Sequence, residues 1–259
     1  SGQRKKILSF SILSAVDYLC AKIVKASSCK SKLGFAHALI DLIKQPSTSE
    51  IVMLSANFSS IIDKLIGLVQ PPRVNYLRTT VTFILRQSFV NDRSEHHLHK
   101  TVAEISGLLR PSKSDLLEDN QIVILLTLLS HALSPLGDAG GSLGTRIVKV
   151  LNDLVVHSNH LVRLEAAACA RTLMAALPSF GSTMLDLLVD RMVLDHGELV
   201  GLAVTGNSKK RPSQDEQIKG ALLLIGLRGR SLAVAALLLA VPACPLGVPR
   251  SSTNTVFYL

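Results

Sequence analysis

Apolar residues in this chain recur at helical spacing in segment after segment, and that periodicity leaves little choice of fold. Residues 7–28 place Ile7, Leu8, Ile12, Ala15, Val16, Leu19 and Ile23 at i, i+3, i+4 intervals, the signature of one apolar helix face. Residues 34–44 read as a second helix, stopped at Gln45 by Pro46, and residues 50–69 as a third. Pro71-Pro72 suit the first turn of a fourth, whose Val74, Leu77, Val81, Ile84 and Leu85 form one stripe. A fifth covers 94–109 and is closed by Pro111. The sixth, 114–133, has Ser112 or Ser114 as cap and Asp115, Glu118 and Asp119 in its opening turn, where the helix dipole favours acids. Its Ile122–Leu129 run is apolar on nearly every side, which predicts a central, buried helix. Ser134 to Ser142, with Pro135 and three glycines, reads as a loop. Helices follow at 143–156, 160–177, 179–194 and 215–240, with Pro178 opening the ninth and Pro242 following the last. No hairpin dipeptide flanks an alternating run, so no strand is expected.

Helices of ~11–26 residues joined mostly by short loops argue for antiparallel pairs. Each pair covers roughly 45–55 residues, close to the period of HEAT and armadillo arrays. A single pair cannot bury its own apolar face, so the expected fold is all-α: an α-solenoid of stacked antiparallel helix pairs. About five pairs fill residues 1–249, with exposed loops near 134–142 and 205–214, and residues 250–259 remain an unassigned tail. The 47% hydrophobic content supplies a large core and excludes disorder for most of the chain. Aromatics are only 4%, without Trp, which favours packed aliphatic helices over an aromatic-rich sandwich. The chain opens on Ser1 with no signal-peptide pattern, which reads as a piece of a longer protein.

The formal charge is +9, but the excess is diffuse: residues 1–130 carry 16 basic and 10 acidic groups, residues 131–259 carry 12 and 9. Nucleic-acid binders concentrate such charge on one face and interleave aromatics for stacking. Here the dense runs are short, Arg4-Lys5-Lys6 and Lys209-Lys210-Arg211, and read first as solvated segments and second as contacts for an acidic partner or phosphate. Cys20, Cys29, Cys169 and Cys244 lack metal-ligand spacing, so four free thiols in a reducing compartment are expected.

Residues 154–177, LVVHSNHLVRLEAAACARTLMAAL, carry a polar turn, then Val162-Arg163, then Ala166-Ala167-Ala168 and Leu173. This pattern resembles a HEAT repeat, in which small residues let neighbouring helices approach and the arginine pairs with an acid of the adjacent repeat. His157 stands where that motif has Asp. Pro71-Pro72 followed by Leu77-Arg78, Val81 and Ile84 is a weaker second instance. Residues 165–192 and 220–249 are similar to the large HEAT-repeat-containing protein 5 family, whose pattern Gly229, Ser231, Ala233, Ala235, Ala236, Leu237 and Cys244-Pro245-Leu246-Gly247 fit. The stretches Leu77-Arg78-Thr79-Thr80 and Phe83-Ile84-Leu85-Arg86 resemble the fungal members, large accessory proteins of clathrin adaptors. About 180 residues carry this resemblance; residues 1–50 do not.

No catalytic, cofactor-binding or metal-binding residue is assigned. His96, His97 and His99 beside Glu95 do not form HExxH and cannot share one helix side. His37, His131 and His157 read as locally satisfied. Gly140-Gly141-Ser142-Leu143-Gly144 formally matches a GxSxG nucleophile elbow with Ser142, and suggests a phosphate loop, but no strand precedes it. A flexible connector is the expected reading. Asn57-Phe58-Ser59 is a sequon inside a predicted helix. Residues 231–249 carry no charge but are interrupted by Pro242, Pro245 and Pro249, so a buried solenoid helix followed by a turn is expected rather than a transmembrane span.

These readings lead to a non-enzymatic HEAT-repeat scaffold without cofactors. The resemblance implies a cytoplasmic protein that works with clathrin adaptor complex 1 or its accessory subunits. It would reach trans-Golgi, endosomal and endocytic vesicle membranes peripherally, through partners, and serve endocytosis, retrograde transport and protein localisation. Nucleic acid is not expected as a partner. The rival is a basic helical module that binds nucleic acid or nuclear import cargo, which requires one continuous basic face.

Overall fold

The computed structural model describes residues 2–45, 55–69, 74–110, 117–205 and 213–244. Among these residues the protein is all-helical and has no strand. The helices are α1 (Gly2–Lys25), α2 (Cys29–Lys44), α3 (Ser55–Ile66), α4 (Val74–Phe89), α5 (Glu95–Leu108), α6 (Asp119–Leu136), α7 (Gly144–Leu154), α8 (His160–Ala176), α9 (Pro178–Thr205) and α10 (Gln214–Ala240). Short 3-10 turns follow α6 (Gly137–Leu143) and α10 (Val241–Ala243). Polar caps set several helix starts by satisfying otherwise unpaired amides. Ser28 accepts from Ser31 N at 3.1 Å ahead of α2, and Asn159 accepts from Leu161 N at 2.8 Å ahead of α8. The chain divides into two compact units, residues 1–108 with 120–132, and residues 109–119 with 133–259.

In the first unit, α1 packs on α2 and α3, and α4 packs on α2, α3 and α5. Two cross-links fix the direction of α2 beside α4. The His37 and Phe83 rings meet edge-on at 5.7 Å, and Lys44 reaches Asp92 at 3.1 Å. Both indices rise together, so α2 and α4 run parallel. Lys64 of α3 pairs with Asp17 of α1 at 2.6 Å. Between α3 and α4, Phe58 and Phe89 are fully buried and meet edge-to-face at 4.9 Å, the arrangement aromatic quadrupoles favour. Ile122, Val123, Ile124, Leu125, Leu126, Leu128 and Leu129 of α6 are all buried. An apolar run of that kind has no face to give to water.

The second unit repeats the scheme with different materials. Helix α7 packs on α8 and α9, and α10 packs on α8 and α9. Gly229 of α10 lies against the start of α8, while the Cys244 thiol donates to the Met174 carbonyl near the end of α8 at 3.5 Å. Helices α8 and α10 therefore run parallel. Contact is close because the facing residues are small. Val162, Ala166, Ala167, Cys169 and Ala170 of α8 are buried, with Gly226, Gly229 and Ala233 of α10. A Cβ at Gly229 would collide with the Val155 carbonyl oxygen, and one at Gly144 with the Phe180 ring.

Three local expectations give way. Ser134–Ser142 is not a loop: α6 runs through Pro135 to Leu136 and a 3-10 turn continues to Leu143. Gly137, at φ +50°, ends the α-helix in the left-handed region that suits glycine. The ninth helix continues eleven residues past 194, to Thr205, because Gly197 and Gly201 lie on its open side, where a missing side chain leaves no gap in the packing. Leu164, placed by its spacing in the repeat core, is 44% exposed. The alanines one turn away are the buried face, so an aspartate at 164 meets water rather than core. The 205–214 connection resolves at its ends into Thr205, the last residue of α9, and Ser213, the cap of α10. Lys209-Lys210-Arg211 and Lys210, like residues 250–259, lie outside the described residues.

Candidate interaction surface

The turn from α7 to α8 carries the repeat-like signature, and its side chains are arranged around Arg163. The Arg163 guanidinium donates through Nη1 to the carbonyls of His157 and Ser158, both at 2.7 Å. It thus closes the C-terminal end of α7 and the turn that follows. The Arg–Asp ladder of the HEAT pattern is replaced here by an arginine-to-backbone clasp. His157, in the acid's place, accepts from Asn159 N through Nδ1 at 3.1 Å and lies 3.8 Å from Asp119. The Asn159 side-chain amide donates to the other Asp119 oxygen.

Beyond this turn, α9 and α10 outgrow their neighbours. They have 28 and 27 residues, against 11 in α7 and 17 in α8. The last apolar residue of α9 that is buried is Leu188, and the first buried position of α10 is Gly226. Between those points the two helices pack on each other alone. Lys219 pairs with Glu198 at 3.2 Å across them, and the falling index on one helix against the rising index on the other shows that they run antiparallel. Val193, Leu194, Val200, Ile218, Leu222 and Leu224 are exposed on this arm. A patch of that composition marks a contact surface in a folded protein.

One polar cluster pins the base of the arm. Asp195 is 2% exposed and pairs with Arg230 of α10. Arg191 Nε lies 3.0 Å from the second Asp195 oxygen, one turn earlier on α9. Burial pulls the Arg230 guanidinium below its ordinary range, while Asp195 opposes that shift. Gly226 makes the room: a Cβ there would stand 2.8 Å from Arg230 Nη1. The spacing pattern did not single out this pair, whose partners are 35 residues apart in sequence. The signal available was one acid, Asp195, seven residues after Leu188 on an otherwise apolar helix face.

The other constellations do not assemble into a site. Among the described residues no group of three His, Cys, Asp or Glu side chains is placed to hold a metal ion. His97 bonds to Ser94 Oγ at 2.6 Å, and burial with Arg93, His96 and Lys100 nearby holds its pKa below the usual histidine range. Ser142 is exposed on the 3-10 turn, with no strand before it. Cys20, Cys169 and Cys244 are buried free thiols and Cys29 is an exposed one. Burial pushes the Cys20 thiol up to about 11, and raises Cys169 and Cys244 as well, which keeps all three protonated and unreactive at neutral pH. Pro245-Leu246-Gly247, the side chains of Arg4-Lys5-Lys6 and that of Asn57 lie outside the described residues. By length and composition, Asp119–Leu154 and Gln214–Ala243 each suffice to cross a membrane; the first is mostly buried within the protein, the second mostly not.

No protein-family model matches this chain, and no solved structure matches it.

Proposed function

We propose that the chain is part of a HEAT-like α-solenoid and works as a non-enzymatic scaffold. The observation that carries this reading is the packing scheme found twice. In each unit two helix pairs stack so that first meets third and second meets fourth, with α2 parallel to α4 and α8 parallel to α10. Stacked pairs of that kind are how repeat proteins complete a core that no single pair can close. The arm of α9 and α10 then presents apolar surface for a neighbouring element or a partner.

The finer reading rests on resemblance. The Glu165–Met192 and Gly220–Pro249 stretches support a place in the HEAT-repeat-containing protein 5 family, and with it work beside clathrin adaptor complex 1 on trans-Golgi, endosomal and endocytic membranes. The test is affinity capture of the full-length protein from cell extract. Adaptor subunits recovered with it, and lost when residues 1–249 are deleted, support the proposal. Enrichment of nucleic acid or nuclear import factors without adaptor components overturns it in favour of the basic-module reading.

A further inference from the structure

A kinase with an acidic substrate groove selects a serine preceded by basic residues, because each guanidinium or ammonium forms a charge-assisted pair with a groove carboxylate. Three serines here follow such residues, and the structure separates them. Ser88 has Arg86 two positions before it, but it is fully buried. Ser231 has Arg228 three positions before it, but it sits inside α10 with its hydroxyl donating to the Leu227 carbonyl at 2.8 Å. Ser213 has Lys209, Lys210 and Arg211 four, three and two positions before it, is exposed, and stands at the very start of α10. Gln214 follows it, so it does not suit a kinase that requires proline after the acceptor.

We infer that Ser213 is a phosphorylation site for a basophilic serine/threonine kinase, and that the cap of α10 gates it. In the transfer the Ser213 Oγ attacks the γ-phosphorus of ATP. The bond to the leaving ADP oxygen breaks, the hydroxyl proton passes to the kinase's catalytic carboxylate, and phosphoserine and ADP result. In the resting protein that oxygen is engaged: it accepts from Glu216 N at 3.2 Å, while Glu216 Oε2 accepts from Ser213 N at 2.8 Å. This reciprocal box must open before the serine can be drawn into an active site. Once formed, the phosphate repels the Glu216 and Asp215 carboxylates and takes over the amides at the positive end of α10. The three cations at 209–211 and the two carboxylates at 215–216 sum to a formal +1, and phosphorylation takes the segment to about −1. The modification thus reverses the sign of the connection between α9 and α10. This site does not depend on the scaffold reading.

The experiment uses the full chain, ATP and the purified catalytic subunit of cyclic-AMP-dependent kinase as the basophilic probe, with phosphate located by peptide mass mapping. The expected result is one phosphate on Ser213 that is absent from Ser213→Ala. Arg211→Ala slows its incorporation about tenfold, and Glu216→Ala, which opens the cap, speeds it about threefold. Circular dichroism of each variant confirms retained helix. Phosphate on Ser208 or Ser231 instead, no phosphate at all, or equal labelling of Ser213→Ala overturns the site. An unchanged rate for Glu216→Ala overturns the gate.

Discussion

The two units solve one packing problem with opposite means. In the first, α3 and α4 are separated by large side chains, and Phe58 against Phe89 fills the space. In the second, α8 and α10 are drawn together by alanine and glycine, until the Gly229 backbone touches the Val155 carbonyl. Large interdigitating side chains tolerate small adjustments through their rotamers, whereas a backbone contact tolerates none. The second unit also carries a buried charge pair where the first is apolar. Asp195 with Arg230 gains little over a hydrophobic pair of similar size, but losing one partner strands the other.

That contrast is open to direct attack. The largest effect is expected from Asp195→Ala, which leaves the Arg230 guanidinium buried and unpaired at a cost of about 3–5 kcal/mol. Urea unfolding measures it, and an Asp195→Leu, Arg230→Met double variant should recover most of the loss. If the double variant is as unstable as the single one, packing rather than charge holds the arm. Phe58→Ala, in the first unit, should cost about 3–4 kcal/mol through the cavity between α3 and α4. Amide exchange should locate the loss in those two helices; protection unchanged there would deny the aromatic pair its role.

Gly229→Ala tests the backbone contact alone, since it adds one carbon and removes nothing. An intrinsic gain in helix propensity would normally stabilise by up to about 1 kcal/mol. Here the clash should reverse the sign, with a net loss of about 1–3 kcal/mol by thermal unfolding. A stabilised variant would mean that α8 and α10 stand further apart. The smallest effect concerns pH. His97 and His131 have pKa values held below the usual histidine value, both chiefly by burial, with Arg86 acting on His131 as well. The unfolded chain therefore binds protons more readily, and the stability these groups contribute is present above pH ~6.5 and declines as pH falls through their folded values. Replacing both with Gln should flatten the stability slope between pH ~6.5 and ~5. An unaltered slope would place the acid sensitivity elsewhere.

The helical segments were legible because each buries one face and shows it as spacing: Leu77, Val81, Ile84 and Leu85 of α4 are all buried, as their stripe predicts. Which face of α8 is buried was less legible. Leu161 and Leu164 look like core by hydropathy, yet both are exposed, and the alanine row is inside. Close approach to a glycine-bearing helix outweighs side-chain size there, and that partner lies some sixty residues further along the chain. Gly197 and Gly201 hid the continuation of α9 because glycine lowers helix propensity locally, while pairing with α10 holds the helix together. The surface of the arm was visible only as an excess of leucine and valine. Its exposure follows from the unequal lengths of the two stacked pairs, a property no local window of sequence contains.

Those unequal lengths also divide each long helix thermodynamically. Residues 226–240 of α10 are anchored on a neighbour, and residues 214–225 are held by α9 alone. Helix is cooperative along its own axis, yet its two halves here answer to different sources of stability. Fraying that starts at the Ser213 cap can run down the arm and halt at the Asp195–Arg230 pair, with the anchored half still intact. The pair then marks a boundary between two cooperative units inside a single unbroken helix.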